Sequence, residues 1–390
     1  MGASQSKPLI LPQRDFKHHL PHALNQTLDD WAAWCQTQGQ PRHKATQILR
    51  WIHHHHCLEP ENMTNLPKTL RLELNTAFNW TPLDFSEPHI SQDGCIKWLL
   101  RTRDGSQVET VYIPESSRGT LCISSQSGCA LACTFCSTGA QGFSGNLLMG
   151  EIIGQLWFAR RTLATLRPSQ TITNVVMMGM GEPLLNYKAV ANAVKLMLSD
   201  DGYGLSKYRV TVSTSGIIPA MNQLKTDSPC ALAVSLHAPN DALRTTLMPI
   251  NQKYPLTELM QTCRDYFEHQ PKRKVTFEYA LLDGVNDQPH HARELIQCLK
   301  GCACKVNLIP FNPFPGTQFQ CTPMKKILQF QSILKQSGLV TTIRTTRGQD
   351  IQAACGQLAG EVLDMTNRTP QGRARREQSR TRQQRSLKNT

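Results

Sequence analysis

Residues 121–150 read LCISSQSGCALACTFCSTGAQGFSGNLLMG, and the cysteines in this stretch decide how the rest of the chain is read. Cys129, Cys133 and Cys136 follow the spacing C-x3-C-x2-C, with Cys122 seven residues upstream of the first. Three thiolates so close in sequence belong to one compact loop, where they are expected to converge on one point. Soft thiolate ligands select zinc, copper(I) or an iron–sulfur cluster. A structural zinc site takes four protein ligands, usually from two separated cysteine pairs. A [4Fe–4S] cube is likewise held by four, normally cysteines. Three cysteines leave one metal position open, which suits a reactive centre and not a structural one.

Downstream of Gly119 the chain alternates strand and helix, the pattern of a parallel sheet or barrel. Strands are expected near 121–124, 172–178, 209–213, 231–236, 275–281 and 306–310. Helices are expected near 150–163, 187–198, 218–224, 241–247 and 289–300. Six such units make an α/β fold with a partial (β/α)6 barrel over 119–320, open on one side. Working residues of such sheets sit at the carboxyl ends of the strands. A helix, a further strand and the segment bearing Cys355 follow over 321–365.

Upstream, residues 1–27 hold little core. Leu28, Trp31, Trp34 and Cys35, then Ala45, Ile48, Leu49 and Ile52, recur at helical spacing. They define a small helical domain over 28–92, broken at Gln38-Gly39-Gln40-Pro41 and basic through Arg42, Lys44 and Arg50. His53 to His56 sit at consecutive helical positions, so at most two face one ion, and a solvated helix end is the better reading. Over 93–118, two alternating runs flank Asp104-Gly105, a hairpin signal, and Glu109 lies in the second run. This hairpin is expected to lie outside the barrel.

Fourteen cysteines without an apolar leader after Met1 read as thiols or metal ligands in a cytoplasmic protein, not as a disulfide scaffold. No run approaches the roughly 20 apolar residues of a membrane span. The net charge of +13 points to a polyanionic partner such as nucleic acid. Residues 366–390 contribute +7 of it, from eight Arg or Lys against Glu377, and read as a disordered basic tail. The body keeps the remaining +6, so the inference stands without the tail.

The candidate site residues fall at expected strand ends. The second strand runs into Met178-Gly179-Met180-Gly181-Glu182-Pro183, where glycine admits a ligand close to the backbone and a carboxylate can take an ammonium group. The third ends at Ser213-Thr214-Ser215, and the fourth at Ser235-Leu236-His237, groups suited to a ribose and a carboxylate. The sixth leads to Asn312, whose amide edge can read adenine. Cys355, flanked by glycines and polar residues, has little reason to be buried. With Cys122 it forms a candidate pair of reactive thiols.

The cluster loop resembles that of the radical S-adenosylmethionine (SAM) enzymes. In that family an open iron chelates the methionine part of SAM, and an electron from the cluster releases a 5′-deoxyadenosyl radical. Glu109–Pro114, Cys129–Thr138, Asn174–Asn186, Ser235–Asn240 and Ala353–Gly360 together resemble the RlmN family, which methylates adenine C2 in 23S ribosomal RNA and transfer RNA. The resemblance runs from about Asp29 to Arg368. It implies one [4Fe–4S] cluster on Cys129, Cys133 and Cys136, and two SAM molecules per turnover. SAM contacts are implied for Gly181, Glu182, Ser213, Ser235, Leu236, His237 and Asn312. Cys355 would carry the methyl group as S-methylcysteine, Cys122 would resolve the adduct through a transient disulfide with Cys355, and Glu109 would accept the C2 proton. A reductant such as flavodoxin or ferredoxin is implied, with no membrane partner.

Cys298, Cys302 and Cys304 form C-x3-C-x-C without a nearby fourth ligand and read as structural thiols. Cys35, Cys57, Cys95, Cys230, Cys263 and Cys321 receive the same reading. The nearest competing family is the Cfr type, which methylates C8 of the same ribosomal adenine. Thr346-Arg347-Gly348 looks more like the C2 enzymes. A non-catalytic iron–sulfur or zinc protein that binds RNA would need a fourth ligand and no Gly181-Glu182 or Cys355. A SAM radical enzyme acting on a protein or small metabolite would leave the basic domain and tail idle.

Overall fold

The computed structural model describes residues 20–354, 356–358, 360, 364, 369 and 373–374. Cys355 and most of the basic tail therefore lie outside the described residues. The strands are β1 (His89–Ile90), β2 (Ile96–Arg101), β3 (Gln107–Pro114), β4 (Gly119–Cys122), β5 (Gln126–Gly128) and β6 (Phe143–Asn146). They continue as β7 (Asn174–Met177), β8 (Val210–Thr214), β9 (Ala231–Ser235), β10 (Val275–Leu281), β11 (Cys304–Pro310) and β12 (Thr341–Ile343). The helices are α1 (Leu28–Thr37), α2 (His43–His53), α3 (Lys68–Ala77), α4 (Ser137–Ala140), α5 (Met149–Leu166) and α6 (Tyr187–Leu198). After them come α7 (Ile218–Asp227), α8 (Asp241–Leu247), α9 (Leu256–Tyr266), α10 (Pro289–Cys298) and α11 (Met324–Gln336).

One ten-stranded sheet runs β1-β2-β3-β4-β7-β8-β9-β10-β11-β12 among the described residues. From β4 to β12 all neighbours are parallel, whereas β1 to β4 pair antiparallel. The six expected barrel strands are present, and β12 extends the parallel order to seven. The β2–β3 hairpin does not stand outside: it pairs with β4 and continues the barrel sheet. The reason is local, since only Glu115 to Arg118 separate β3 from β4, a link too short for a crossover. A second ribbon, β5 with β6, brackets the cysteine loop.

The N-terminal helices form where the apolar period placed them. Thr27 and Asp30 make a reciprocal capping box at the start of α1, with N–H to oxygen distances of 2.9 and 3.2 Å. Trp31 is fully buried against Phe78, ring centroids 4.5 Å apart. The unit shares one apolar core with the barrel. His53 departs from the solvated reading: it is fully buried, and its Nδ1 lies 3.1 Å from the Tyr203 hydroxyl. His54 and His55 are exposed. No helix among the described residues is long and apolar enough to cross a membrane.

Candidate active site

Strand register decides which side chains share the inner face of the sheet, because side chains alternate and paired residues point the same way. Lys97 pairs with Val111, two residues beyond Glu109, and Val111 pairs with Cys122. Cys122 pairs with Val176, and Val176 with Thr211, two residues before Ser213. Across β9 and β10, Ser235 pairs with Glu278. Lys97, Glu109, Cys122, Ser213, Ser235 and Glu278 therefore line one continuous face. The opposite face packs on α5: Thr110 Oγ1 donates to Gln155 at 2.8 Å, and Trp98 meets Phe158 edge-on.

A cleft opens at the carboxyl ends of the parallel strands. Cys129, Cys133 and Cys136 form one wall. Gly181, Glu182, Ser213, Ser235, His237 and Asn312 line the others. Leu236 does not; it is fully buried behind the wall, its N–H bonded to Glu278. Cys122 and Glu109 are buried on the inner face without lining this cleft.

Cys129, Cys133 and Cys136 all face one cleft. Among the described residues, no group of three His, Cys, Asp or Glu is placed to hold a single ion. A cube takes its cysteine ligands on separate irons, and all three thiols are presented to the same cleft. Burial, then the neighbouring Cys129, Cys136 and Glu182, push the Cys133 thiol well above its ordinary value, and Arg244 opposes them. A cationic cluster takes such crowded thiols as thiolates, releasing their protons when it binds. The donor set and its surroundings fit a three-cysteine cluster.

Glu182 is held by backbone. Its carboxylate accepts from Leu184 N–H at 3.1 Å and Ser215 N–H at 2.7 Å. Burial raises its carboxyl above the usual range while these bonds pull it back. Gly181 has φ +95°, and any Cβ there would strike the Gln126 side chain, so this turn requires glycine. His237 also has positive φ, at 56°, and its Nδ1 accepts from Ala280 N–H at 2.9 Å. Burial lowers its pKa to about 3, so it is neutral, with the proton on Nε2.

The segment around Cys355 is fastened on both sides. Before it, Arg347 and Gly348 bond Asp93 in the turn between β1 and β2, and Asp350 accepts from Gln92 N–H at 3.0 Å. After it, the carbonyl of Gly356 accepts from Ser137 N–H at 2.9 Å, and that of Leu358 from Thr138 Oγ1 at 2.6 Å. Gly356 and Leu358 line the cleft. Contrary to the sequence reading, Ala353, Ala354, Gln357 and Leu358 are buried. Cysteines elsewhere follow the structural reading except Cys321, which is exposed, and Cys298 and Cys302, which are half-buried.

Sequence reasoning missed two residues. Arg244 is fully buried and ties strand ends together, donating to the carbonyls of Ser215 at 2.7 Å, Ser235 at 3.1 Å and Leu236 at 3.3 Å. Burial lowers its pKa to about 10, so it stays charged. Glu278 lines the cleft and accepts from Asn307 Nδ2 at 3.0 Å. An acid alternating with apolar residues was a usable signal for Glu278. Nothing in the sequence marked Arg244 as buried.

Residues 123–296 match the radical SAM superfamily, and residues 23–79 match the ribosomal RNA large subunit methyltransferase N-terminal domain. The chain is similar to a radical SAM methyltransferase from Sphaerobacter thermophilus, with 43% identity, a TM-score of 0.81, and coverage of 87% of this chain and 99% of that one. Weaker likenesses are to SuiB of Streptococcus suis (12% identity, TM-score 0.43, covering 57% of this chain and 49% of that one) and to a domain of a pyruvate-formate lyase-activating enzyme of Bacteroides vulgatus (18%, 0.35, 44% and 99%). Neither adds to the assignment. With its N-terminal helical unit, its parallel sheet and its three-cysteine loop, the chain belongs to the RlmN-type radical SAM methyltransferases.

Proposed function

We propose that this enzyme methylates C2 of an adenine in 23S ribosomal RNA and in transfer RNA, in the cytoplasm, using two SAM molecules per turnover. One observation carries the reading. The cysteine loop and the segment just after Cys355 meet at one cleft, bonded through Ser137 and Thr138 to the carbonyls of Gly356 and Leu358. Cys129, Cys133 and Cys136 would hold a [4Fe–4S] cluster. When bound and reduced by a flavodoxin- or ferredoxin-like donor, that cluster supplies the electron that splits SAM. Gly181 and Glu182 would seat the amino group of SAM, Ser213, Ser235 and His237 its ribose and carboxylate, and Asn312 its adenine.

C2 of adenine is electron-poor and cannot attack a sulfonium itself. Cys355, as thiolate, takes a methyl group from one SAM by displacement and carries it to C2. The second SAM is consumed in activating that methyl group. Glu109 accepts the C2 proton from the covalent adduct. Cys122 then closes on the sulfur of Cys355, forming a disulfide as the methylated base departs. The basic helical unit and tail would hold the RNA, so raising salt should weaken binding steeply. Nucleoside mass spectrometry of treated RNA tests the reading: 2-methyladenosine is expected, and 8-methyladenosine in its place would overturn it.

A further inference from the structure

Lys97 is an expensive residue to keep where it is. It lies on β2, is only 9% exposed, and places Nζ 3.3 Å from Oε1 of Glu109, itself 6% exposed. Withdrawing an ammonium and a carboxylate from water costs several kcal/mol per ion, and their attraction often does no more than break even with an apolar pair. The pair is thus weakly justified by stability alone. Its place on the sheet suggests another reason. Both residues share the face that carries Cys122, and the backbone of Glu109 is fixed independently: its carbonyl accepts from Ser124 Oγ at 2.6 Å. That hydroxyl in turn accepts from Met180 N–H at 2.9 Å, one residue before Gly181. Backbone and side chain are located by separate contacts, as a base that must meet one carbon atom requires.

We propose that Lys97 is a positioning residue for Glu109, holding its buried carboxylate ionised and aimed along the inner face beside Cys122. This role rests on the reading of Glu109 as the proton acceptor. A carboxyl buried here without a cation would favour its neutral form and could not accept a proton. With Lys97 in place, the C2 proton passes to the carboxylate, the electron pair of the C2–H bond stays with the ring, and the ammonium is unchanged. Among the described residues, the other charged or titratable groups on this face are Arg101, Cys122 and, farther across the sheet on β10, Glu278. Arg101 on β2 is exposed and paired with Asp84 at 3.3 Å, and Cys122 stands on β4. The packed ribbon strand β5 offers only Gln126, Ser127 and Gly128.

The test uses the full-length, cluster-reconstituted chain as wild type, Lys97→Met, Lys97→Arg, Glu109→Gln and the Lys97→Met/Glu109→Gln double variant. Infrared titration follows the protonated Glu109 carboxyl band, identified by its loss in the variants lacking Glu109. Single-turnover methylation is measured across pH in parallel. In Lys97→Met the band should persist about one to three pH units higher than in wild type, the effect of losing an adjacent opposite charge. The acid limb of the methylation profile should move with it, with Lys97→Arg restoring both. A band and limb unmoved in Lys97→Met, with Glu109→Gln inactive, would overturn the role of Lys97 alone. Full turnover by Glu109→Gln would instead overturn the assignment of the base, and the band would still report whether Lys97 controls that carboxyl.

Discussion

Arg347 and Asp93 stand 254 positions apart in sequence, yet Arg347 Nε donates to Asp93 Oδ2 at 2.9 Å. The same oxygen accepts from Gly348 N–H at 2.8 Å. Burial would raise the Asp93 carboxyl, but the N–H groups of Gly348 and Cys95 outweigh it and hold the group well below the usual range. Asp93 thus clasps the approach to Cys355 onto the turn that leads into β2, the strand paired with the one bearing Glu109.

Replacing Asp93 with Ala should free that approach without touching the cluster loop. SAM cleavage in the absence of RNA is expected to stay within about twofold of wild type, whereas RNA methylation falls by about tenfold or more, since small misplacements of reacting groups are costly. Measuring both rates on one preparation checks this.

Acid should destabilise the junction between α2 and the loop after α6. Burial, reinforced by His56 and His54, lowers His53 to about 3, against about 6.5 in the unfolded chain. The folded state therefore binds fewer protons than the unfolded state between those values. The stabilisation is complete above pH 6.5 and is lost as pH falls towards 3, at about 1.4 kcal/mol per unit. Denaturant unfolding between pH 7 and 4 should show a shallower slope for His53→Gln than for wild type.

Arg244→Met should lower stability by roughly 3 kcal/mol or more, because it leaves several buried carbonyls without their donor. Lysine should not rescue it, since an ammonium cannot reproduce the planar fork that reaches three carbonyls and Asn251. Denaturant midpoints and SAM affinity by equilibrium dialysis should fall together.

Where periodicity and spacing carried information, the sequence was legible. The hairpin read over Ile96–Arg101 and Gln107–Ile113, six strands of the parallel sheet and the gathering of Cys129, Cys133 and Cys136 at one cleft all follow from local pattern. What local pattern cannot carry is the partner across space. The pairing of β3 with β4 turned an expected appendage into part of the sheet, and only that register puts Glu109 and Cys122 on one face. His53 looked like a solvated helix end because its burial depends on Tyr203, 150 positions later. Leu236, for which the resemblance implies a SAM contact, has its side chain in the core and not in the cleft lining. Helix α9 carried a readable apolar period in Leu256, Leu259, Met260 and Cys263 that went unused.

In the proposed cycle Cys355 carries carbon to the RNA base and Cys122 releases it. Incubating Cys122→Ala anaerobically with SAM, reductant and substrate RNA, then digesting for mass spectrometry, tests this directly. The expected product is an adenine joined through one methylene carbon to Cys355, accumulating in proportion to enzyme. Free methylated RNA released at the wild-type rate with no such adduct would contradict it.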